Sequence, residues 1–373
     1  MRMTKMLSVL LTMAFTLTLL AACSSTGENS TATPTSEAKN ATAGDSKKKV
    51  TIGVAINSTE NEYWVQEAEG AKVFVATLPA GTAEVQILTN EGSDEKQLNG
   101  IKSLIASSGK NTILYVDPSN ASNTAAIAEL CEEAGVYWTS VWHIAPGLNP
   151  NKYKYYVAHQ SVDGVKQGYD IAIDMFKKFK TPGKGKILAI QGLLGNDSAV
   201  ERYAGLKKAL AENPGVELLD MQVADWSPQK ALTITETWLS KYKDIDGIWS
   251  ANDGMALAAV QALKAKDLNG KVKVVGVDGV SAALKAVEDG DMAATVANNG
   301  WLQGGYGAAY AYDAYIGKID PSKMAAEKRA FYTEGFFINK ESLPEYKKKF
   351  VDNKPVYDFN NLDVPIVRPM VLK

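Results

Sequence analysis

Side chains that could bind a small polar molecule follow several short apolar runs in this sequence. Asn61, Tyr63 and Trp64 come soon after the first run, and Trp142 comes directly after the fourth. Aromatic faces can stack on the C–H faces of a sugar ring, and Asn, Asp and Arg offer planar hydrogen-bond groups to neighbouring hydroxyls. This combination predicts a site for a neutral, polyhydroxylated molecule. The remaining members of the candidate site are Arg202, Trp226, Asn252, Asp278 and Asn298.

Few residues of this sequence could perform a reaction. It contains two histidines, His143 and His159, and two cysteines, Cys23 and Cys131. These do not offer a nucleophile with its base or a set of metal ligands, and the phosphate-binding pattern GxxxxGKS or GxxxxGKT does not occur. We therefore predict a binding protein rather than an enzyme, without a cofactor or a metal ion. His143 is interpreted either as a ligand contact or as a loop residue.

Strand and helix patterns alternate along the body of the chain and must position these residues. The run over 50–56 is rich in β-branched residues, which is typical of a strand buried on both faces, and a helical pattern covers 63–77. The alternation continues to residue 141 and starts again with a helix at 163. Strands are also predicted over 85–88, 112–116, 136–141, 186–190, 216–222, 247–250, 272–277 and 294–297, and helices over 95–107, 121–134, 163–179, 198–212, 229–241, 255–266 and 282–288.

This order of elements predicts an α/β protein with two doubly wound lobes, each a parallel sheet covered by helices. We expect the N-terminal lobe to comprise 50–161 and 298–331. The C-terminal lobe would comprise 162–297 and 332–373, and it would end in an extended surface tail. Three crossings, near 158–163, 296–299 and 331–334, would form a hinge. Ligands of open parallel sheets bind beyond the carboxyl ends of the strands, where the candidate residues stand.

The first residues of the chain have the features of a secretory signal. Arg2 and Lys5 precede an apolar run over 6–22, which is short for a membrane span. The run ends in Leu-Ala-Ala-Cys, which resembles the bacterial lipobox, whose cysteine receives a lipid and becomes the first mature residue. We therefore expect a signal peptide over 1–22, lipidation at Cys23 and a flexible tether over 23–49. An ordinary signal with an incidental cysteine is the alternative.

The charges of the chain are nearly balanced. Forty Lys and Arg residues stand against 42 Asp and Glu residues, which gives a formal net charge of −2. A chain without a basic stripe is not expected to bind nucleic acid. The part that follows the tether is long enough for two lobes with separate cores, and we expect it to be a monomer.

From about residue 50 to residue 332 the chain resembles the ribose-type periplasmic binding proteins of the type I fold. The resemblance implies the solute-binding protein of an ABC importer, held outside the cytoplasmic membrane, which closes around a monosaccharide-sized sugar or polyol and delivers it to a membrane permease. The pieces that carry the resemblance stand in order along the chain and are Asn61-Glu62-Tyr63-Trp64, Gln191-Gly192, Glu201-Arg202-Tyr203-Ala204-Gly205, Ala224-Asp225-Trp226, Ala251-Asn252-Asp253-Gly254-Met255-Ala256, Val275-Gly276-Val277-Asp278-Gly279 and Ala293-Ala294-Thr295-Val296-Ala297-Asn298.

The resemblance also implies roles for the candidate residues. In that family the start of the first helix brings an Asn and aromatic rings to the sugar, and an aromatic ring of the other lobe stacks on it. Asn298 stands where the family usually has Gln. By this match the N-terminal lobe contributes Asn61, Tyr63 and Trp64, the stacking ring of the other lobe is Trp226, and the hydroxyls are bound by Arg202, Asn252 and Asp278.

The sequence departs from that family after the fourth strand. Many relatives carry an adjacent Asp-Arg pair there, whereas this chain has Trp142 and His143. Ribose itself is therefore not the expected ligand, and a deoxy sugar, a larger or differently substituted sugar, or a cyclic polyol fits the change better.

Two other functions use the same fold. A transcription regulator would need a DNA-binding module at the N-terminus, where this chain has a signal. A ligand-sensing protein that reports a sugar or a sugar-like signal to a membrane receptor uses the same closing cleft, so it stays open as the alternative to transport.

Overall fold

The computed structural model describes residues 49–353 and 355–372. The predicted signal peptide, the predicted lipidation site Cys23 and nearly all of the predicted tether lie outside these residues. The described helices and strands, in chain order, are β1 (Val50–Ile56), α1 (Glu62–Ala76), β2 (Ala83–Thr89), α2 (Asp94–Ser108), β3 (Thr112–Val116), α3 (Ala121–Ala134), β4 (Trp138–Val141), β5 (Tyr156–Ser161), α4 (Gly164–Lys177), β6 (Gly185–Gln191), α5 (Asp197–Glu212), β7 (Val216–Val223), α6 (Pro228–Lys241), β8 (Gly247–Ser250), α7 (Asp253–Lys264), β9 (Lys273–Val275), α8 (Ser281–Asp289), β10 (Ala294–Asn298), α9 (Gly300–Tyr315), β11 (Ala330–Tyr332), β12 (Gly335–Asn339), α10 (Leu343–Tyr346) and β13 (Arg368–Pro369).

The strands form two sheets, one in each lobe. The first has the order β13-β11-β5-β4-β3-β1-β2, and the second has the order β12-β10-β9-β8-β6-β7. All neighbouring strands are parallel except β13 against β11 and β12 against β10. The predicted fold class, two doubly wound parallel-sheet lobes, is confirmed.

The apolar runs of the sequence are the central strands. Every residue of β1, β3, β4 and β8 is buried, because helices cover both faces of a parallel sheet and no strand face is left for solvent. The strands therefore lack the alternation of polar and apolar residues that a half-exposed strand would show.

Side-chain caps set where the helices begin. Asn61 Oδ1 accepts the Tyr63 N–H at 3.0 Å at the start of α1, and Asn252 Oδ1 accepts the Met255 N–H at 3.0 Å at the start of α7. An N-cap of this kind contributes about 1 kcal/mol to stability. Because both caps are candidate ligand residues, the helix starts also fix the position of those side chains.

Three short connections join the lobes. The chain passes between them from β5 to α4 through 162–163, from β10 to α9 at Asn299, and from β11 to β12 through 333–334. These positions agree with the three crossings expected from the sequence.

Helix α9 and strands β5, β11 and β12 were not predicted. The sequence of α9 contains four glycines, at 300, 304, 305 and 307, and glycine lowers helix propensity by about 1 kcal/mol per residue. A Cβ on any of the four would lie within 3 Å of a neighbouring atom, and one on Gly304 would lie 1.9 Å from the carbonyl oxygen of Glu67 in α1. Close packing of α9 against α1 therefore outweighs the low helix propensity of its sequence.

The last segment of the chain corrects the predicted domain assignment. We expected 332–373 to belong to the C-terminal lobe, but residues 355–372 lie on the N-terminal lobe. Phe359 packs against Phe74 of α1 with ring centroids 5.4 Å apart, and the Tyr310 hydroxyl of α9 donates to the Leu362 carbonyl at 2.7 Å. Strand β13 then pairs with β11. Burial of these aromatic side chains holds the tail there, and an extended sequence alone does not show which lobe offers that surface.

Within 49–353 and 355–372, none of the helices combines the length and the apolar character needed to cross a bilayer. Nor do three or more His, Cys, Asp or Glu side chains of these residues group as metal ligands.

Candidate functional site

A cavity lies between the lobes, beyond the carboxyl ends of their strands. This is where ligands bind in open parallel sheets. All the predicted ligand residues except Asn298 line it. The lining residues are Asn57, Asn61, Tyr63, Trp64, Asp117, Pro118, Ser119, Trp142, His143, Leu193, Asn196, Ser198, Arg202, Trp226, Asn252 and Asp278.

Three of these residues have unusual backbone angles. Trp142, Trp226 and Asp278 have φ values of 63°, 61° and 137°, in a region that residues with a Cβ rarely occupy. Such conformations cost of order 1–3 kcal/mol and cluster at functional sites. All three turn sharply at or just after the end of a strand, which brings their side chains to the cavity rather than along the sheet.

The N-terminal lobe contributes a rigid aromatic wall. Trp142 Nε1 donates to the Tyr63 hydroxyl at 2.7 Å, and the two rings meet edge to face with centroids 5.9 Å apart. The Tyr63 hydroxyl also contacts Glu67 Oε1 at 2.8 Å and Gln303 Oε1 at 2.6 Å. Because its hydroxyl is fully occupied, Tyr63 can offer a ligand its ring but no further hydrogen bond.

Trp64 and Asp117 form a second pair on the same lobe. The indole Nε1 of Trp64 donates to Asp117 Oδ2 at 2.9 Å. Burial raises the pKa of Asp117 to about 6, while nearby His143 and the Trp64 hydrogen bond oppose this rise. The carboxyl is thus an acceptor inside the cavity, held by an aromatic side chain that also lines it.

Arg202 lies between the aromatic residues of both lobes. Its guanidinium carbon is 5.1 Å from the ring centre of Trp142 and 5.9 Å from that of Trp226. The guanidinium also donates to the Ala251 carbonyl at 2.8 Å and to Gln167 at 3.1 Å. These contacts fix a buried cation in the cavity wall and leave part of its donor capacity for a ligand.

Asp278 is the carboxylate nearest to Arg202. Its Oδ1 lies 3.8 Å from the guanidinium, and its Oδ2 accepts from Asn61 Nδ2 at 3.3 Å. Burial raises the pKa of Asp278 to about 6, and Arg202 opposes that rise. Behind it, Asp253 Oδ2 accepts the N–H groups of Gly279 at 2.7 Å and Val280 at 3.1 Å, so a second buried carboxylate holds the loop of Asp278.

Asn298 is placed differently from the prediction. It does not line the cavity but lies behind Asp278, to which its Nδ2 donates at 3.3 Å, while its Oδ1 accepts from Gln167 at 2.6 Å. Both ends of this amide are used within the protein. The structure therefore assigns Asn298 to the support of Asp278 rather than to direct contact with a ligand.

Several lining residues were missed in the sequence. Asn57 and Asp117 directly follow β1 and β3, so the same strand-end rule could have found them. Asn196 and Ser198 lie at the start of α5 and Ser119 in the loop after β3; small polar residues are so common in such loops that they carry little signal.

His143 contacts both lobes. Its Nδ1 accepts the Asp197 N–H at 3.2 Å, and its Nε2 lies 3.6 Å from Asp117 Oδ1. Asp197 belongs to the C-terminal lobe, and its carboxylate accepts the Ile144 N–H of the N-terminal lobe at 3.0 Å. Of the two interpretations, ligand contact or loop residue, the position on the cavity wall favours the first.

Other hydrogen bonds also cross between the lobes. Asn196 Nδ2 donates to the Ser119 carbonyl at 3.1 Å, and Glu62 accepts from the Ser281 N–H at 2.9 Å and from its hydroxyl at 2.7 Å. The structure is therefore a closed form in which both lobes surround the cavity.

Comparisons with known proteins agree with this geometry and with the resemblance found in the sequence. The chain is 28% identical over 277 residues to the ribose import binding protein of Haemophilus influenzae, covering 74% of this chain and 89% of that one. It is 30% identical over 276 residues to the D-allose-binding periplasmic protein of Escherichia coli, covering 74% and 88%. A crystal structure of a twin-arginine translocation pathway signal protein from Burkholderia phytofirmans superposes with a TM-score of 0.82 at 35% identity, covering 87% of this chain and 99% of that one. Since the sequence model of the periplasmic binding protein domain also matches residues 52–319, the chain belongs to the periplasmic binding protein domain family.

Proposed function

We propose that this protein is the solute-binding component of an ABC importer and captures a neutral, monosaccharide-sized sugar or polyol between its lobes. The observation that carries the proposal is the closed cavity, which combines aromatic rings of both lobes with buried hydrogen-bonding groups of both signs. Such a lining suits a molecule with apolar C–H faces and a rim of hydroxyls. The names of two relatives, which bind ribose and D-allose, support the same ligand class.

The charges of the cavity favour a neutral ligand. Arg202 and Asp278 lie 3.8 Å apart and balance each other, so neither requires an ion as a partner. The guanidinium can donate to one hydroxyl and the carboxylate can accept from another. A binding role without a reaction is also consistent with the relatives, which are named as binding proteins.

Closure would allow a membrane partner to distinguish the ligand-bound protein from the free protein. A ligand that contacts both lobes stabilises the closed form by its differential affinity for that form, and a permease in the membrane could then select the loaded protein. We further propose that the protein acts as a monomer outside the cytoplasm and that a lipid on Cys23 anchors it to the cell membrane. A sensor would use the same closure to engage a receptor instead of a permease.

A thermal-shift screen tests the ligand class. Pentoses, hexoses, deoxy sugars, inositols and disaccharides would be compared with amino acids and short peptides, and calorimetry would measure the affinity of each hit. A specific ligand raises the melting temperature because it binds only the folded state. Stabilisation by amino acids or peptides, with no effect from any sugar or polyol, would contradict the proposed class.

A further inference from the structure

We infer that Asp117 and His143 together form a hydroxyl-reading pair that determines which sugar or polyol the cavity accepts. The inference rests on the proposed function and deepens it. It adds a requirement to the ligand: one free hydroxyl must face the N-terminal lobe at this pair. His143 stands after the fourth strand, where this chain departs from its relatives, and Asp117 is not among the residues to which the family resemblance gives a role.

The first observation is an unsatisfied acceptor. Asp117 is only 5% exposed and lines the cavity. Its Oδ2 accepts from Trp64, but its Oδ1 is buried and accepts no hydrogen bond from any residue that the structure describes. Leaving a buried acceptor unpaired is costly, so a donor on the ligand would stabilise the complex at this atom.

The second observation is a donor beside that acceptor. Because His143 Nδ1 accepts the Asp197 N–H at 3.2 Å, we assign the proton of the neutral ring to Nε2. This nitrogen lies 3.6 Å from Asp117 Oδ1, which is too far for a direct hydrogen bond. A ligand hydroxyl placed against both atoms could donate to the carboxylate and accept from the imidazole.

A hydroxyl is the group that fits this pair best. An ether or O-methyl oxygen could accept from His143 but could not donate to Asp117. An ammonium could donate to Asp117 but would meet the His143 N–H with no acceptor of its own. A carboxylate on the ligand would face the Asp117 carboxylate. Arg202 is the only Lys or Arg among the lining residues that the structure describes, and Asp278 already balances it, so acidic sugars should be excluded.

Closure completes the pair. The amide that fixes the proton of His143 belongs to Asp197 at the start of α5 in the C-terminal lobe. In an open form that amide would move away, and the ring could then carry its proton on either nitrogen. The lobes must therefore close before the donor and the acceptor are both set for a hydroxyl.

Calorimetry with wild-type protein and the best sugar or polyol from the ligand screen tests the inference. Deoxy analogues that each lack one hydroxyl would be titrated into wild type, Asp117→Asn, Asp117→Ala and the control Asp244→Asn, whose side chain is 83% exposed. We expect both Asp117 variants to lose about 30-fold or more in affinity, the range for removal of one partner of a buried charged hydrogen bond, and the control to bind like wild type.

The decisive result is the coupling between the protein and one ligand hydroxyl. One deoxy analogue should bind wild type much more weakly than the parent ligand but should lose almost nothing further in Asp117→Ala, because the two changes remove the same contact. In wild type, the O-methyl and carboxylate forms at that position should also bind poorly, a readout that does not depend on any variant folding. Intact sugar binding by wild type and Asp117→Ala alike, or additive losses for every deoxy analogue, would overturn the inference while leaving the proposed function in place. Failure of wild type to bind any sugar or polyol would reject both.

Discussion

The side-chain amide of Asn61 donates a hydrogen bond to Asp278 Oδ2 across the cleft, with the two atoms 3.3 Å apart. The same Asn61 caps α1 through its Oδ1, and the other oxygen of Asp278 accepts from Asn298 and faces Arg202. The start of the first helix and the charged pair of the opposite lobe therefore form one connected group. Any change at Asp278 should act on ligand binding and on closure together.

Asp278→Asn should greatly weaken ligand binding without preventing folding. Asparagine has nearly the same shape as aspartate, but it leaves the buried Arg202 without its counter-charge. Truncation of one partner of such a pair typically costs about 2–5 kcal/mol, which is about 30-fold to several thousand-fold in affinity. Calorimetry would measure the loss, with Asp225→Asn, whose carboxylate binds Lys230 at the surface, as the control. Nearly full affinity of Asp278→Asn would show that the site inferred from the family resemblance is wrong.

Glu62→Ala should weaken ligand binding although Glu62 is outside the ligand cavity. Glu62 on α1 accepts two hydrogen bonds from Ser281 at the start of α8, in the other lobe. These bonds exist only in the closed form, and each contributes about 1 kcal/mol, so we expect about a 5- to 30-fold loss with faster ligand release. Glu69→Ala is the matched control, because Glu69 pairs with Lys72 within α1. Scattering of the unliganded variant should show a larger radius of gyration than that of wild type; equal radii and equal affinities would mean that these bonds do not hold the closed form.

The sequence predicted the lobes and about half of the residues that line the cavity because both depend on local patterns. Fully buried parallel strands leave continuous apolar runs, and the strand-end rule then points to Trp142 and Trp226. The rule does not say which way a side chain faces. Asn298 stands at the end of β10, yet its amide lies behind Asp278. There its Oδ1 accepts a hydrogen bond from Gln167, a contact that the strand-end rule does not describe.

Other features that the sequence did not reveal depend on contacts made across the fold. The strand-end rule could have pointed to Asp117, which follows β3, but its role becomes visible only when Trp64 and His143 meet it from other segments. Helix α9 was missed because its glycines serve a long-range contact with α1. The tail over 355–372 could not be assigned to a lobe because aromatic residues such as Phe359 show that a surface is covered but not which surface.

Gly192→Ala should reduce affinity by displacing Trp226. A Cβ on Gly192 would lie 2.3 Å from the indole ring, and the ring must move because a contact under 3 Å cannot be accommodated. The loss should resemble that of Trp226→Ala, which removes a large stacking surface, and the two should not add, since both act on one ring. Gly100→Ala in α2, where the nearest atom is 4.0 Å away, should bind like wild type. A Gly192→Ala variant with unchanged affinity would mean that the Trp226 ring does not contact the ligand.

Cys23 should be the lipidated first residue of the mature protein. The lipobox-like Leu-Ala-Ala-Cys and the Ser- and Thr-rich stretch that follows it motivate this prediction. Mass spectrometry of the membrane fraction from a bacterial host should show a mature chain that begins at Cys23 and carries a diacylglycerol. Cys23→Ser should leave the protein unprocessed or unlipidated, and Cys131→Ser, which changes a buried thiol, should be processed normally. A mature start elsewhere, or an unmodified Cys23 in membrane-bound protein, would contradict the prediction.

Ligand affinity should fall as the pH drops below 6, although the folded protein gains stability from the same groups. Burial raises the pKa values of Asp117 and Asp278 to about 6, above the usual value near 4 of an unfolded chain. These two carboxyls therefore bind protons more tightly when folded, and their contribution to stability increases as the pH falls through 6 and is lost as it rises again. Ionised carboxylates accept from ligand hydroxyls much more strongly than neutral carboxyls do, so each should lower the affinity by up to about 10-fold between pH 7 and pH 5, and both together by up to about 100-fold. Calorimetry across this range measures the slope, and thermal melting of the unliganded protein shows that it stays folded. Asp117→Asn should lose one of the two steps, whereas Asp244→Asn should keep both; an affinity independent of pH in wild type would mean that neither carboxylate binds the ligand in its ionised form.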